Sequence, residues 1–227
     1  MSIERLLGLA AAAMGLVAAA ASAHEATPAR ADFVPPAPGT YRLERIMQAP
    51  EGAVLDTNYK RAKLSAFTQG KVTLLSLMYT SCSDEKGCPM AYYSLQVIQR
   101  DLAKAKPAQG RVRLVSLSFD PEHDTPAVMR TYGGKHVGAK TGVPWYFLTT
   151  ASKDELRPVL DGLGQDVSKP AAPEEQGKPA NLSHVLKVYL VDRDGWVREI
   201  YSTAFLIPQV VINDVKTLLL EEGVKLD

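Results

Sequence analysis

The chain has 227 residues, 46% apolar and 22% charged, the balance of an ordinary globular domain. Its formal net charge is +1, which excludes nucleic-acid binding driven by bulk positive charge. No internal repeat is visible, so a solenoid or propeller is not expected.

The chain opens with a targeting pattern. Arg5 precedes an apolar run over 6–20, and Ala21-Ser22-Ala23 fits a small-residue cleavage site. An uncleaved anchor is the alternative, because 6–23 just reaches spanning length, but alanine dominates the run and contributes little to insertion. Cleavage after Ala23 would leave His24 at the new N-terminus; an amino group beside an imidazole can chelate Cu(II), although a frayed tail is the simpler reading. Residues 24–39, with Pro28, Pro35, Pro36 and Pro38, read as a flexible Pro/Ala-rich tether. The expected organisation is therefore a signal peptide at 1–23, a tether at 24–39 and one domain at 40–227. Export to an oxidising compartment would allow the two cysteines of the chain to form a plain structural disulfide.

A loose alternation over 41–47 predicts a strand, and Pro50-Glu51-Gly52 a turn. Residues 72–78 form a nearly unbroken Val- and Leu-rich run, the pattern of a strand buried on both faces. It ends at Tyr79-Thr80-Ser81, followed by Cys82, five residues, Cys88 and Pro89. Met90, Tyr93, Leu95, Val97, Ile98 and Leu102 then make one apolar helical face, so both cysteines stand where a buried strand hands over to a helix at 89–104. Cys88 as cap with Pro89 at the first helical position would place its sulfur at the positive end of the helix dipole, which favours thiolate.

A break at 107–110 leads to a second buried strand at 112–119. Asp124 or Thr125 can cap the next helix, with Pro126 in its first turn and Gly133-Gly134 as its stop. A short strand at 145–148 and a helix opened by the Ser152/Glu155 capping box follow. Residues 162–181 are rich in Gly and Pro and read as a long loop. A strand at 184–191, a turn at Asp192-Arg193-Asp194-Gly195, a return strand at 196–201 and an amphipathic helix at 208–221 complete the chain. The alternation predicts a layered α/β domain with a mixed sheet, whose ligand-binding loops lie at the C-terminal ends of parallel strands; 82–88 and 120–124 both lie there.

Four pieces of the chain, spread over 41–222, resemble the Sco/SenC family of copper chaperones. They are the strand with its cysteine pair and Cys-Pro, the segment from Ser118 through Asp120-Pro121-Glu122-His123-Asp124-Thr125-Pro126, the 145–148 strand with its capped helix, and His184 ahead of Val191-Asp192-Arg193-Asp194-Gly195. The resemblance implies a thioredoxin-like α/β/α layered domain with a mixed central sheet and a C-terminal hairpin. It also implies copper bound by two cysteines and one histidine, which by matching motif are Cys82, Cys88 and His184. Thiolates suit Cu(I), and the added imidazole allows Cu(II) as well. The family usually spaces its cysteines Cys-x3-Cys, whereas this chain has Cys-x5-Cys with Ser83-Asp84-Glu85-Lys86-Gly87 between them. Each doubling of loop length costs only about 0.6 kcal/mol in closure entropy, so the longer loop does not forbid chelation.

Asp120 is a candidate for a supporting position behind the ligands, with a plain turn-forming role as the alternative; Asp124 reads as a cap, His123 and His136 as exposed, and Met90 as packing. The function implied is a periplasmic copper-binding chaperone, more a metallochaperone than an enzyme, serving the binuclear copper site of cytochrome c oxidase. The alternatives are a thiol–disulfide oxidoreductase that uses Cys82 and Cys88 as a redox dithiol on client cysteines, and a copper or redox sensor. Thioredoxin-type enzymes place a proline before the strand facing the cysteines; Ser183-His184 holds that place here, which favours metal over simple redox work. The partners implied are a copper-receiving oxidase subunit and thiol–disulfide proteins, with no nucleic acid and with membrane contact only through the client or an uncleaved N-terminal segment.

Overall fold

The computed structural model describes residues 31–82, 87–168, 182–202 and 204–226. The signal segment, His24 and the start of the tether, Ser83 to Lys86 of the inter-cysteine loop, and 169–181 of the Gly/Pro loop lie outside the described residues. In chain order the elements are β1 (Met47–Gln48), β2 (Ala53–Asp56), β3 (Arg61–Lys63), α1 (Ser65–Thr68), β4 (Val72–Met78), α2 (Cys88–Lys104), β5 (Val112–Ser118) and α3 (Pro126–Gly133). Then follow β6 (Trp145–Thr149), α4 (Lys153–Gly162), β7 (Val167–Ser168), β8 (Ser183–His184), β9 (Val188–Val191), β10 (Trp196–Tyr201) and α5 (Pro208–Glu221).

β4 and β5 are buried at every position because they run side by side through the middle of a mixed sheet of order β1-β10-β9-β4-β5-β6-β2-β3. β4, β5 and β6 are parallel and joined by crossovers through α2 and α3, while β9 returns antiparallel along β4. Side chains alternate between the two faces of the sheet. Arg113 and Tyr146 point toward α1: the Arg113 guanidinium donates to Thr73 Oγ1 and to the Ala66 and Gln69 carbonyls, and the Tyr146 ring meets Phe67 at 5.2 Å. Trp145 and Phe147 point the other way, where the Trp145 ring meets Tyr92 of α2 at a tilt, 5.1 Å away, and Phe147 lies under Gly133 of α3. The result is the thioredoxin-like α/β/α layering expected, with the C-terminal hairpin β9–β10 in the sheet.

Two expectations need correction, and one element is new. The strand expected over 41–47 is reduced to Met47–Gln48, because only this end meets β10; further back, Arg198 occupies the Leu43 carbonyl. The strand expected over 184–191 is two strands. His184 pairs with Val167 in a separate two-stranded arm, and the chain enters the central sheet only at Val188. The hairpin β2–β3 at the sheet edge was not expected: its strands are only four and three residues long and, mostly half-buried, lack a buried-strand pattern. At the N-terminus, the last part of the proline-rich stretch lies along α5. Asn213 Nδ2 donates to the Pro36 carbonyl at 2.8 Å, and the Gly39 N–H donates to Thr217 Oγ1 at 3.0 Å.

Candidate metal centre

β4 delivers the first sulfur. Beyond Met78 the chain stays buried at Tyr79, turns through Thr80 and Ser81, and presents Cys82 half-buried at the sheet's end. Cys88 is the first residue of α2, preceded by Gly87 and followed by Pro89, and its side chain is buried. The cap is therefore Gly87, one residue before the Cys88 expected from the sequence, and Cys88 itself lies in the first turn. His184 comes from β8, 96 positions beyond Cys88, yet its Nε2 lies 3.7 Å from Cys88 Sγ. One ligand atom each from Cys82, Cys88 and His184 all lie within 4.8 Å of one another, the one such group of metal-ligating side chains among the described residues. Both cysteines are thiols, not the disulfide that an exported pair would allow.

The histidine is set for a metal. Its Nδ1 lies 2.9 Å from the Leu182 carbonyl, which can only accept, so the ring proton sits on Nδ1 and Nε2 turns a lone pair toward the sulfurs. The ring is wedged between Tyr79 at 5.5 Å, edge-on, and Phe119 at 4.9 Å. Fixing a ligand imidazole through its far nitrogen is the usual second contact of metal-binding histidines. Sulfur and imidazole ligands of one ion, at about 2.3 and 2.0 Å from it, stand at most about 4.6 Å apart, so the set needs only slight contraction to close on one ion. Two soft sulfurs and one imidazole suit Cu(I) and tolerate Cu(II).

The expectation of a thiolate-favouring helix end at Cys88 is overturned. The hydrogen bond with the neighbouring Cys82 sulfur, together with burial, pushes the Cys88 thiol well up, and the backbone N–H groups nearby are weaker in the opposite sense. A site of this kind keeps a proton until a soft cation displaces it, which makes metal uptake proton-coupled.

The two acids downstream of β5 divide their work differently from the sequence reading. Asp120 is buried, but its carboxylate pairs with His123 Nδ1 at 2.8 Å and makes no hydrogen bond to Cys82, Cys88 or His184. That contact raises the His123 pKa, while the His123 side chain itself stays 61% exposed. Asp124 is the acid that reaches the cysteine loop. It is 1% exposed and accepts from the Thr80 N–H at 2.9 Å, the Thr80 hydroxyl, and Ser118 Oγ at 2.5 Å. The cap of α3 is Thr125, whose hydroxyl accepts from the Val128 N–H. Nothing in the spacing of these residues marks Asp124; only the parallel pairing of Met78 with Ser118 brings Thr80 above it. His136, read as exposed, is half-buried against Trp145 at 4.9 Å with Nδ1 2.9 Å from Gln99 Oε1, and burial lowers its pKa.

The SCO1/SenC family model matches residues 54–220. The SCO1 protein homolog of Bacillus subtilis is 28% identical over 151 residues, which cover 66% of this chain and 72% of that protein. The mitochondrial protein SCO2 homolog of Bos taurus is 27% identical over 173 residues, or 74% of this chain and 60% of the bovine protein. Among solved structures, Bradyrhizobium japonicum ScoI with copper bound superposes with a TM-score of 0.59 at 26% identity, covering 75% of this chain and 98% of that one.

Proposed function

We propose, from the premise that this chain belongs to the SCO1/SenC family, that it is a copper chaperone which grips one ion through Cys82, Cys88 and His184 and passes it to a client. The observation that carries this is the convergence of the three donor atoms within 4.8 Å, with the imidazole held in the tautomer that leaves Nε2 free to bind. The relative solved with copper bound supports copper as the cargo. The layout also supports release. His184 sits on an arm outside the central sheet, so its contact can loosen while Cys82 and Cys88 stay anchored beside β4 and α2. The client we propose is the binuclear copper site of cytochrome c oxidase, reached in the periplasm after export directed by the N-terminal segment. No helix among the described residues is long and apolar enough to cross a membrane.

The test loads the reduced protein with one equivalent of Cu(I) or Cu(II). One-to-one binding is expected in the wild type and lost in Cys82→Ala and Cys88→Ala. His184→Ala is expected to weaken Cu(II) binding by at least tenfold and to change its spectrum. An unaltered spectrum would remove His184 from the ligand set. Transfer is read by copper gain in an oxidase fragment bearing the binuclear site, and location by fractionation of cells expressing the full chain.

The adjacent thiols, not joined in a disulfide, favour one second reading, a dithiol that reduces client cysteines before loading. In that case exchange with a partner disulfide would proceed at the same rate in His184→Ala, whereas copper transfer would fail.

A further inference from the structure

Tyr79 stands one residue past β4 and is 1% exposed. Its ring fills the space between Phe119, at 5.1 Å, and the His184 imidazole, at 5.5 Å. A phenylalanine would fill that space equally well, so packing does not account for the hydroxyl. A buried hydroxyl is unfavourable unless its hydrogen-bonding capacity is met. Here it is met on both sides. The Leu182 N–H donates to Tyr79 Oη at 3.2 Å, which leaves the phenolic proton for the Cys82 sulfur. The other polar group of Leu182, its carbonyl, holds His184 Nδ1. One side chain and one backbone residue therefore connect a sulfur on the β4 loop to the imidazole on the arm.

We infer that the Tyr79 hydroxyl is a positioning group of the metal centre: it fixes the His184 arm against Cys82 and, by donating to the Cys82 sulfur, tunes that sulfur as a ligand. A hydrogen bond draws electron density from a ligating thiolate, which weakens its hold on Cu(II) more than on Cu(I). The tuning half of this inference rests on the copper reading above; the positioning half holds for the metal-free protein.

Tyr79→Phe tests both halves. In the metal-free variant, hydrogen exchange at the Leu182 amide is expected to rise about tenfold, while exchange at the β4 and β5 amides stays unchanged. In the Cu(II)-loaded variant, the sulfur-to-copper charge-transfer band is expected to move to lower energy. The ratio of Cu(I) to Cu(II) dissociation constants should shift toward Cu(II) by about tenfold, the low end for loss of a contact to a metal ligand. Site-specific 3-fluorotyrosine at position 79, a stronger donor of nearly the same shape, should move the band the opposite way without disturbing the fold. A folded Tyr79→Phe protein with wild-type Leu182 exchange and a wild-type band overturns the inference. If the wild type takes up no copper, the copper reading and the tuning half fail together, and the Leu182 exchange alone decides the positioning half.

Discussion

The two sides of the metal centre are built to opposite standards. Cys82 follows β4, which is buried at every position in the middle of the sheet, and Cys88 opens α2, which packs one buried face against the core. His184 hangs from a two-residue strand paired only with β7, followed by Val185, which is 63% exposed. One side is a fixed jaw and the other an adjustable one. A protein that must grip a soft ion and also surrender it needs both: the fixed side keeps the thiols together, and the low local stability of the arm lets the third ligand come and go.

The sharpest way to break this comparison is to loosen the fixed jaw. Asp124→Ala leaves the Thr80 N–H and the Thr80 and Ser118 hydroxyls facing a buried void. Removing one partner from a buried, charge-assisted network costs about 3 kcal/mol or more. The urea midpoint should fall accordingly and one-to-one copper binding should be lost with it. A variant with wild-type stability would mean that the junction before Cys82 is held by the strand alone.

Loosening the arm should act differently. Gln165 is buried, and its side-chain amide donates to the Val185 and Asp166 carbonyls, tying the chain on either side of the arm together. Gln165→Ala is expected to lower global stability by only about 1 kcal/mol, yet to speed copper release several-fold, read by transfer to a competing chelator. Equal loss in stability and release would show that the arm is part of the rigid frame and that the contrast between the two sides is false.

The same contrast explains what could be read from the sequence. The fixed side announces itself: a run of apolar residues over 72–78, a Cys-Pro helix start and a second buried strand at 112–119 each carry a periodicity that burial dictates. The adjustable side does not. β8 is too short for any alternation to register, and His184 was placed by likeness to a family motif, not by pattern. The break between His184 and Val188 leaves no mark in the sequence because 184–191 reads as one continuous strand; only the pairing partners, Val167 on one piece and the β4 edge on the other, divide it. Asp120 and Asp124 show the same limit. Both looked like loop acids, and only the fold sends one to an exposed histidine and the other beneath Thr80. The thiol reading at Cys88 failed for a further reason: a helix end can be seen in a sequence, whereas a second sulfur against it in a buried pocket cannot.

The smallest expected effect lies just outside the centre, at the pair His123–Asp120. Asp120 holds the His123 imidazolium and raises its pKa above the ordinary histidine value of about 6.5. Because the folded-state value is the higher one, the stabilisation is fully present below the unfolded value and disappears as pH rises through the folded value. The imidazole side chain is 61% exposed, so solvent screening limits the pair to less than about 1 kcal/mol. His123→Ala should therefore lower the urea midpoint slightly at pH 5.5 and leave it at the wild-type value by pH 9. Its copper binding should match the wild type at both, because Asp120 makes no hydrogen bond to the ligands. A deficit that persists at pH 9 would show that the contact is steric, not ionic. A copper defect would bring Asp120 back behind the fixed jaw, where the sequence reading first placed it.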